Sequence, residues 1–374
     1  MTEFENEFFK TVHKLESLIK ENKEFDIKLP RVCLMGIPHS GKSLLLSSII
    51  GLDILPIDQT LAIKRPLELR LNHLDSGEPY AIFEEIENEK ITDFSKIKDI
   101  IQKIQEKKGQ NYEQYFKSII LNIYSQKFAN IAFIDLPGMT YIPIGLCPKN
   151  IEEFPTKLAA KYANDFLNLL VCTVPVKNTN LDKKIYCFRC IENFGMSRHR
   201  VLPVFTKIDL ITEDGEELQE FKEFITNKVL PFKFGCVCIK NRTSENLKNN
   251  MNLKDAIEEE KKFFNEGSNL YGKFSEDQVG YDTLIKKLKK GYFELIKENL
   301  AKEDKNQNQL ITKGRLAKNK EEKNSIREIL KFINDNSYKE NDAFNPGEIK
   351  LTKEKDLKNF QNLIDFIEEN AKDD

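Results

Sequence analysis

The chain of 374 residues lacks the features that mark several classes of protein. It has no run of about 18 apolar residues, which a membrane-spanning helix would need, and its first residues, MTEFENE, are acidic where a signal peptide would be basic. Its formal net charge is only −2, so no overall basic field indicates nucleic acid as a partner. No internal repeat is visible. These absences predict a cytoplasmic protein that does not bind nucleic acid.

Cysteine is present but in an odd number, seven, and mostly in apolar stretches. This distribution predicts reduced thiols in a core and argues against a disulfide framework. The pairs Cys187-x-x-Cys190 and Cys236-x-Cys238 could supply four zinc ligands. Neither pair lies in the turn-rich context of a zinc knuckle, so zinc is not expected.

Residues 36–43, GIPHSGKS, fit the phosphate-binding pattern G-x-x-x-x-G-K-[ST]. An apolar, strand-like run precedes them and a helix-forming run follows, which is the context that the motif requires. In such a loop, backbone N–H groups and the positive end of the helix dipole surround the phosphates. Lys42 would reach the terminal phosphates, and the Ser43 hydroxyl would bind Mg²⁺. The sequence therefore predicts a nucleotide site.

A second motif, DLPG at residues 135–138, follows another predicted strand. P-loop enzymes place there a carboxylate that holds Mg²⁺ through water and a glycine whose N–H binds the terminal phosphate. Asp135 and Gly138 would fill these roles. The alternative interpretation is a plain turn at the end of a strand.

A third motif, TKID at residues 206–209, also follows a predicted strand. The aliphatic stem of Lys207 can cover a base, and the Asp209 carboxylate can accept two hydrogen bonds from guanine N1–H and N2–H. Adenine offers no such pair of donors, and a buried carboxylate left unpaired is penalised strongly. The motif therefore favours GTP over ATP.

Strands alternate with helices along the chain, which is typical of an α/β fold with a mainly parallel central sheet covered by helices on both faces. Helical segments are predicted at 93–108, 181–194, 216–229 and 245–265, and a hairpin across residues 75–77 is expected. The predicted strands are 67–71, 80–83, 119–124, 131–134, 167–174, 201–205 and 234–239, besides the run before the loop.

Three amphipathic helices, at residues 4–20, 281–299 and 353–371, each carry an apolar face that needs cover. Packing together as a bundle beside the sheet would bury all three faces. Residues 301–325 are rich in Lys, Asn and Glu with few apolar anchors, so a weakly held helix or a connector is expected there.

The order and spacing of the three motifs resemble the GTPase domain of the dynamin superfamily, nearest its dynamin and Mx-type branch. The resemblance spans about residues 25–300 and implies a P-loop NTPase fold of the Ras-like, extended dynamin type. It implies an N-terminal bundle helix in 1–25, a GTPase domain in 26–300 and a helical C-terminal segment in 301–374. Only 74 residues follow Leu300, so a short form without a full stalk is expected. The resemblance to the dynamin GTPase domain is carried by residues 36–43, 55–56, 65–69, 135–140, 143–145, 206–210, 230–231 and 241–243.

The resemblance implies GTP or GDP as the ligand with Mg²⁺, the metal being held by Ser43 and Asp135. Asn241 and Arg242 would complete the guanine pocket. The residues with an expected catalytic role are Lys42, Ser43, Asp135 and Gly138. The candidate nucleotide-binding residues are Gly36, Ser40, Gly41, Lys42, Ser43, Leu44, Asp135, Gly138, Thr206, Lys207, Asp209, Asn241 and Arg242. By family alone, the resemblance also implies a homodimer through the nucleotide face and association with membranes or microtubules.

Four positions depart from the family pattern. Pro38 stands where dynamins have a glutamine that orients the attacking water, and His39 where they have a serine. Ile63 aligns with the switch threonine that binds Mg²⁺, and Thr60 lies three residues away. His39 is read either as an exposed loop residue or as a general base. The departures predict slow GTP hydrolysis; the alternatives are a pseudo-GTPase interaction module without turnover and, disfavoured by Asp209, an ATPase or kinase.

Overall fold

The strands described by the computed structural model form one sheet of eight, in the order β3-β4-β2-β5-β1-β6-β7-β8. The described residues are 6–21, 28–56, 65–86, 89–106, 116–139, 154–176, 198–211, 221–222, 225–226, 231–267, 274–303 and 320–337. The strands are β1 Arg31–Gly36, β2 Leu67–His73, β3 Tyr80–Phe83, β4 Ile119–Ser125, β5 Ile131–Asp135, β6 Asn168–Pro175, β7 Val201–Thr206 and β8 Val237–Cys238.

The α-helices of the described part of the chain flank this sheet. They are α1 Glu7–Glu21, α2 Lys42–Ile50, α3 Ile97–Glu106, α4 Phe154–Asn164, α5 Ser244–Lys248, α6 Leu253–Lys262, α7 Tyr281–Glu303 and α8 Lys320–Asn336. Within the described ranges, none of them is long and apolar enough to cross a lipid bilayer.

Five of the seven strand pairings are parallel, which confirms the predicted mainly parallel sheet. Strands β5, β1, β6, β7 and β8 all run in one direction. Their carboxyl ends therefore meet at one edge of the sheet, where the loops of an α/β protein form its ligand site. The three sequence motifs follow β1, β5 and β7 and so share this edge.

The hairpin predicted across residues 75–77 is wrong. Strand β4 lies between β2 and β3, pairing parallel with β2 and antiparallel with β3. The link between β2 and β3 thus crosses two strand spacings, about 10 Å, which a turn-rich segment can span without being a tight turn. In this place, Ile119, Leu121 and Ile123 are all buried on one face of β4.

The central strands β1, β6 and β7 are buried on both faces of the sheet. Successive side chains of a strand point to opposite sides, so each of these strands contributes to two cores. In β1, Val32 and Leu34 join the core that contains the buried residues of α1, α2 and α7. Cys33 and Met35 join a second core, which contains the buried residues of α4. Strand β1 therefore sits in the middle of the molecule and fixes where the loop after it emerges.

A bundle packs beside the sheet, as predicted, but its third described member is a different helix. In it, α1 contacts α7 and α8, and α7 contacts α8. The Phe8 ring meets Tyr292 edge-on at 5.3 Å, and Phe293 meets Phe332 at 5.9 Å. Helix α8 begins inside the segment 301–325, for which either a weakly held helix or a connector was expected, and Ile329, Leu330 and Ile333 give it an apolar stripe. The predicted helix at 353–371 lies outside the described residues.

The helix predicted over 245–265 is interrupted in the structure. Helix α5 ends at Lys248 with Asn249 as its C-cap, and the side chain of Asn252 accepts a hydrogen bond from the backbone N–H of Asp255 to start α6. Asparagine favours N-cap positions over helix interiors, so Asn252 starts a new helix three residues after the C-cap Asn249 and the segment is divided. The segment predicted as a helix at 181–194, and most of the one at 216–229, lie outside the described residues.

Of the sulfur pairs considered for zinc, the structure describes Cys236 and Cys238, both of them buried thiols. Across the described ranges, no group of three or more His, Cys, Asp or Glu side chains is placed to hold a metal ion. The expectation of reduced core thiols holds for Cys33, Cys172, Cys236 and Cys238.

Candidate nucleotide site

The loop between β1 and α2 wraps around the side-chain nitrogen of Lys42. That nitrogen donates to the carbonyl oxygens of Gly36 at 3.3 Å and Ile37 at 3.0 Å, and the residue is buried. The backbone N–H of Ser40 also donates to the Ile37 carbonyl, at 3.3 Å, which closes the turn. The ammonium group is therefore held at the centre of the loop, where phosphate oxygens would take the place of the carbonyl groups.

Two glycines of the loop are required by space or by backbone conformation. Gly41 caps α2 with a φ of 86°, in the left-handed region that favours glycine, and a Cβ there would lie 2.7 Å from Asn241 Nδ2. A Cβ on Gly36 would clash with the side chain and backbone of Thr173 in β6. The motif glycines thus let β6 and the segment after β8 approach the loop.

Ser40 ties the loop to the two neighbouring strands. Its hydroxyl lies 2.7 Å from the hydroxyl of Thr173, which also donates to the Met35 carbonyl at 3.2 Å. The Thr206 hydroxyl donates to the Ser40 carbonyl at 2.6 Å. Thr173 was not predicted as a site residue; the signal that the sequence offers is a hydroxyl inside the mostly apolar strand NLLVCTVP.

Asp135 meets the start of α2 at the end of β5. The Ser43 hydroxyl donates to Asp135 Oδ2 at 2.7 Å, and the carboxylate is fully buried. Burial raises the pKa of the Asp135 carboxyl to about 6, although the charge of Lys42 and the hydrogen bond from Ser43 oppose the rise. Its second oxygen, Oδ1, is buried without a hydrogen-bond partner. An orphaned buried carboxylate oxygen beside a hydroxyl fits a hydrated Mg²⁺, which prefers oxygen ligands.

The segment after Asp135 packs directly on the loop. The backbone N–H of Met139 donates to the Gly36 carbonyl at 2.9 Å. A Cβ on Gly138 would lie 2.7 Å from both the Cα and the nitrogen of Pro38, so only glycine allows this approach. Gly138, which the second motif assigns to the terminal phosphate, therefore lies against Pro38 of the phosphate loop.

The predicted base-recognition residues lie at the ends of β7 and β8. Lys207 has a φ of 59°, and Asp209 follows in the 3₁₀ turn Ile208–Leu210, where it is half-buried. Asn241 donates through Nδ2 to the Gly41 carbonyl at 3.3 Å. The adjacency of β6, β7 and β8 thus places the third motif and Asn241 along the same edge as the phosphate loop.

Comparison with known proteins agrees with this geometry. The Dynamin family sequence model matches residues 32–183, and the Dynamin central region model matches residues 220–372. The chain belongs to the dynamin superfamily of GTPases. The first match covers the phosphate loop and the DLPG motif. The second begins between β7 and β8 and extends through the described bundle helices α7 and α8.

Among its relatives, this dynamin-family chain is 29% identical over 270 residues to Dynamin-1-like protein drp-1 of Caenorhabditis elegans, covering 67% of the chain and 37% of that protein. It is 29% identical over 268 residues to Dynamin-1-like protein of Danio rerio, covering 67% and 38%. Over 260 residues it is 28% identical to Dynamin-A of Dictyostelium discoideum, covering 68% and 30%. The matched segments are about a third of the length of these relatives.

One predicted site residue of this dynamin-family chain points elsewhere. The guanidinium group of Arg242 is paired with Asp53, beyond the far end of α2, instead of facing the loop beside Asn241. His39 has a φ of 59° and is exposed at the tip of the loop, in keeping with a solvent-facing residue. Thr60 and Ile63 lie outside the described residues, so their assigned roles stay predictions.

Proposed function

We propose that the chain binds GTP with Mg²⁺ and hydrolyses it slowly to GDP and phosphate, by attack of water on the terminal phosphate. The observation that carries the proposal is the hydrogen bond from Ser43 to the buried Asp135 carboxylate, at the first turn of the helix that follows the phosphate loop. It brings the first two motifs together, which supports a shared site for phosphate and metal. The Asn241 contact with Gly41 supports a base pocket next to it.

Ser43 and Asp135 are the residues that would hold Mg²⁺, which when bound supplies positive charge against the β- and γ-phosphates. Lys42 adds its own charge at the same phosphates from inside the loop. The backbone N–H of Gly138 is the donor we assign to the terminal phosphate. Asp209 accepts from the guanine edge, while the Lys207 stem covers the base and Asn241 closes the pocket.

Slow turnover is supported by the residue types at the two positions to which the family resemblance assigns the orientation of the attacking water. Pro38 has no side-chain hydrogen-bonding group, and it packs against Gly138, where the terminal phosphate would bind. Ile63 offers no oxygen to either metal or water. Losing one such transition-state contact typically lowers the rate on the order of 100-fold. The groups expected to bind GTP are thus retained, while the groups expected to position water are changed. The same pattern would fit the alternative, a pseudo-GTPase that binds GTP without hydrolysing it.

The proposal extends to the organisation of the chain. The boundaries 1–25, 26–300 and 301–374 remain a prediction, supported by the packing of α1 and α8 against α7. A homodimer through the nucleotide face, and association with a membrane or microtubules, rest on family membership alone. Cytoplasmic location likewise remains a prediction from composition.

The deciding experiment measures GTP and ATP affinity by titration calorimetry, followed by single-turnover hydrolysis of radiolabelled GTP. We expect GTP to bind more tightly than ATP, with turnover slow but dependent on Mg²⁺. Equal affinity for the two nucleotides would refute the guanine assignment. Tight GTP binding without any hydrolysis would establish the pseudo-GTPase alternative.

Asp209→Asn should weaken GTP binding and admit xanthosine triphosphate. The new amide donor suits the carbonyl group at C2 of xanthine, whereas it cannot accept both guanine donors. The loss of a charged acceptor for two hydrogen bonds predicts a fall in GTP affinity of roughly 10- to 100-fold. Competition binding with both nucleotides measures the switch, and Asp255→Asn, an exposed change in α6, serves as the control.

Pro38→Gln together with Ile63→Thr should raise turnover while leaving GTP affinity nearly unchanged. The two side chains act on the same water, so the gain will be less than the product of two single gains. We expect an increase of roughly 100-fold over wild type in single-turnover assays. If wild type already hydrolyses GTP as fast as complete dynamin-type GTPases, another group such as Thr60 performs their role.

A further inference from the structure

Two adjacent residues after β8 reach toward opposite ends of the same helix. Asn241 donates to the carbonyl of Gly41, which caps the start of α2. Arg242 donates from both terminal nitrogens to Asp53, at 3.0 and 3.1 Å, just beyond the end of α2. The nine residues of α2 are about 13 Å long, which is the span that the two extended side chains and one peptide unit can cover.

The Arg242–Asp53 pair is bidentate through both terminal nitrogens of Arg242, although Arg242 Nε is buried without a hydrogen-bond partner. Arg242 is 7% exposed and makes a third hydrogen bond to the Met251 carbonyl at 3.2 Å, while Lys98 lies 3.3 Å from Asp53. Burial raises the pKa of the Asp53 carboxyl, but the hydrogen bonds and charge of Arg242, helped by Lys98, hold that pKa below its usual value. Both partners are therefore charged at neutral pH, and the fork geometry sets the position of Arg242 closely.

The pair also faces away from the phosphate loop. Asp53, Lys98 and Arg242 line a cavity of about 1190 Å³ between the end of α2, the start of α3 and the start of α6. No residue of the loop 36–43 contributes to its wall. Direct contact between the Arg242 side chain and a nucleotide in the loop is thus inconsistent with its observed pairing.

At the other end there is little room for Asn241 to shift. Its Nδ2 lies 2.7 Å from the point where a Cβ of Gly41 would be, so the amide is seated against the first turn of α2. Displacing the backbone after β8 would withdraw this amide. Arg242 is the next residue in the chain, so its pairing with Asp53 also restrains the backbone that carries Asn241.

We propose that Arg242 is a positioning residue for guanine recognition: paired with Asp53, it clamps the segment after β8 across α2 and thereby sets Asn241, without touching the nucleotide. The inference rests on the proposed GTP-binding function. It replaces the direct role in the pocket that the family resemblance implied for Arg242.

The test is a double-mutant cycle with Arg242→Gln and Asp53→Asn, read as affinity for GDP and for tripolyphosphate, each with Mg²⁺. Each single variant should lose about 10-fold in GDP affinity, and the double variant no more than either, because both break one pair. Tripolyphosphate, which lacks a base, should bind all four proteins equally. Arg242→Lys, which can still reach Asp53, should lose less than Arg242→Gln.

The outcomes separate the inference from the function on which it rests. Losses that add in the double variant, or a loss confined to Arg242→Gln, would show direct contact and overturn the positioning role. A parallel loss of tripolyphosphate binding would show a general structural defect and overturn it too; thermal unfolding of the near-isosteric Asp53→Asn protein checks this independently. Wild-type protein that binds tripolyphosphate but not GDP would instead refute the proposed function.

Discussion

Replacing Lys42 with alanine is expected to lower GTP affinity by about 100-fold or more. The Lys42 nitrogen is buried inside the loop, where two carbonyl oxygens hold it at the site assigned to the phosphates. A charge-assisted hydrogen bond is worth roughly 1.5–3 kcal/mol, and Lys42 would form more than one with a triphosphate. Among the described loop residues, 36–43, no other side chain is a lysine or arginine.

Titration with a fluorescent GTP analogue measures this loss. Lys42→Met keeps the apolar stem and should lose as much affinity as Lys42→Ala, since the missing charge is the cause. Lys254→Ala, an exposed lysine in α6, is the matched control and should bind as wild type does. Unchanged GTP binding by Lys42→Ala would mean that the loop is not a nucleotide site.

The parts of the site that could be predicted are those encoded by short local patterns. The loop 36–43 and the motif at 135–138 need glycine at Gly41 and Gly138 for reasons visible in the structure: a left-handed φ and a close approach to Pro38. The spacing and content of apolar residues likewise predicted the bounds of β4 to β7 within one or two residues, because buried strands appear in the sequence as continuous or alternating apolar runs.

The parts that could not be predicted depend on contacts distant in sequence. Strand β4 lies between β2 and β3, and the apolar pattern within each strand does not indicate which strands become neighbours. The Arg242–Asp53 pair joins residues 189 positions apart, and Thr173 contacts Ser40 across 133 positions. Helix α8 packs in the bundle, although it begins in a segment whose composition left a weakly held helix and a connector both open, because tertiary packing supplies most of a helix's stability.

Glu260 is another residue whose contacts are distant in sequence, and it links the edge assigned to base binding with the bundle. Its carboxylate is 2% exposed and accepts the backbone N–H of Lys240 at 2.9 Å and of Tyr281 at 2.8 Å. Lys240 precedes Asn241, and Tyr281 is the first residue of α7. Burial raises the pKa of Glu260 from 4.5 to about 7, against the opposing effect of the two backbone hydrogen bonds; Asp282 adds to the rise and Lys240 opposes it.

This raised pKa predicts a specific pH dependence of stability. The folded protein binds the Glu260 proton more tightly than the unfolded chain does, so the stability that the proton contributes is fully present below pH 4.5. It is lost as the pH rises through about 7. The loss over this window should be on the order of 3 kcal/mol in the free energy of unfolding.

Glu260→Gln isolates that contribution, because an amide does not titrate. Its –NH₂ group cannot accept one of the two backbone N–H groups, so the variant should be less stable by roughly 1–3 kcal/mol at acidic pH. The gap to wild type should then shrink by about 3 kcal/mol, closing or reversing by pH 8. Urea denaturation at a series of pH values measures it, with Glu258→Gln, an exposed change in the same helix, as the control. A gap that stays constant with pH would mean that the Glu260 carboxyl has the same pKa in the folded and unfolded states, because its two backbone donors and Lys240 offset the cost of burial.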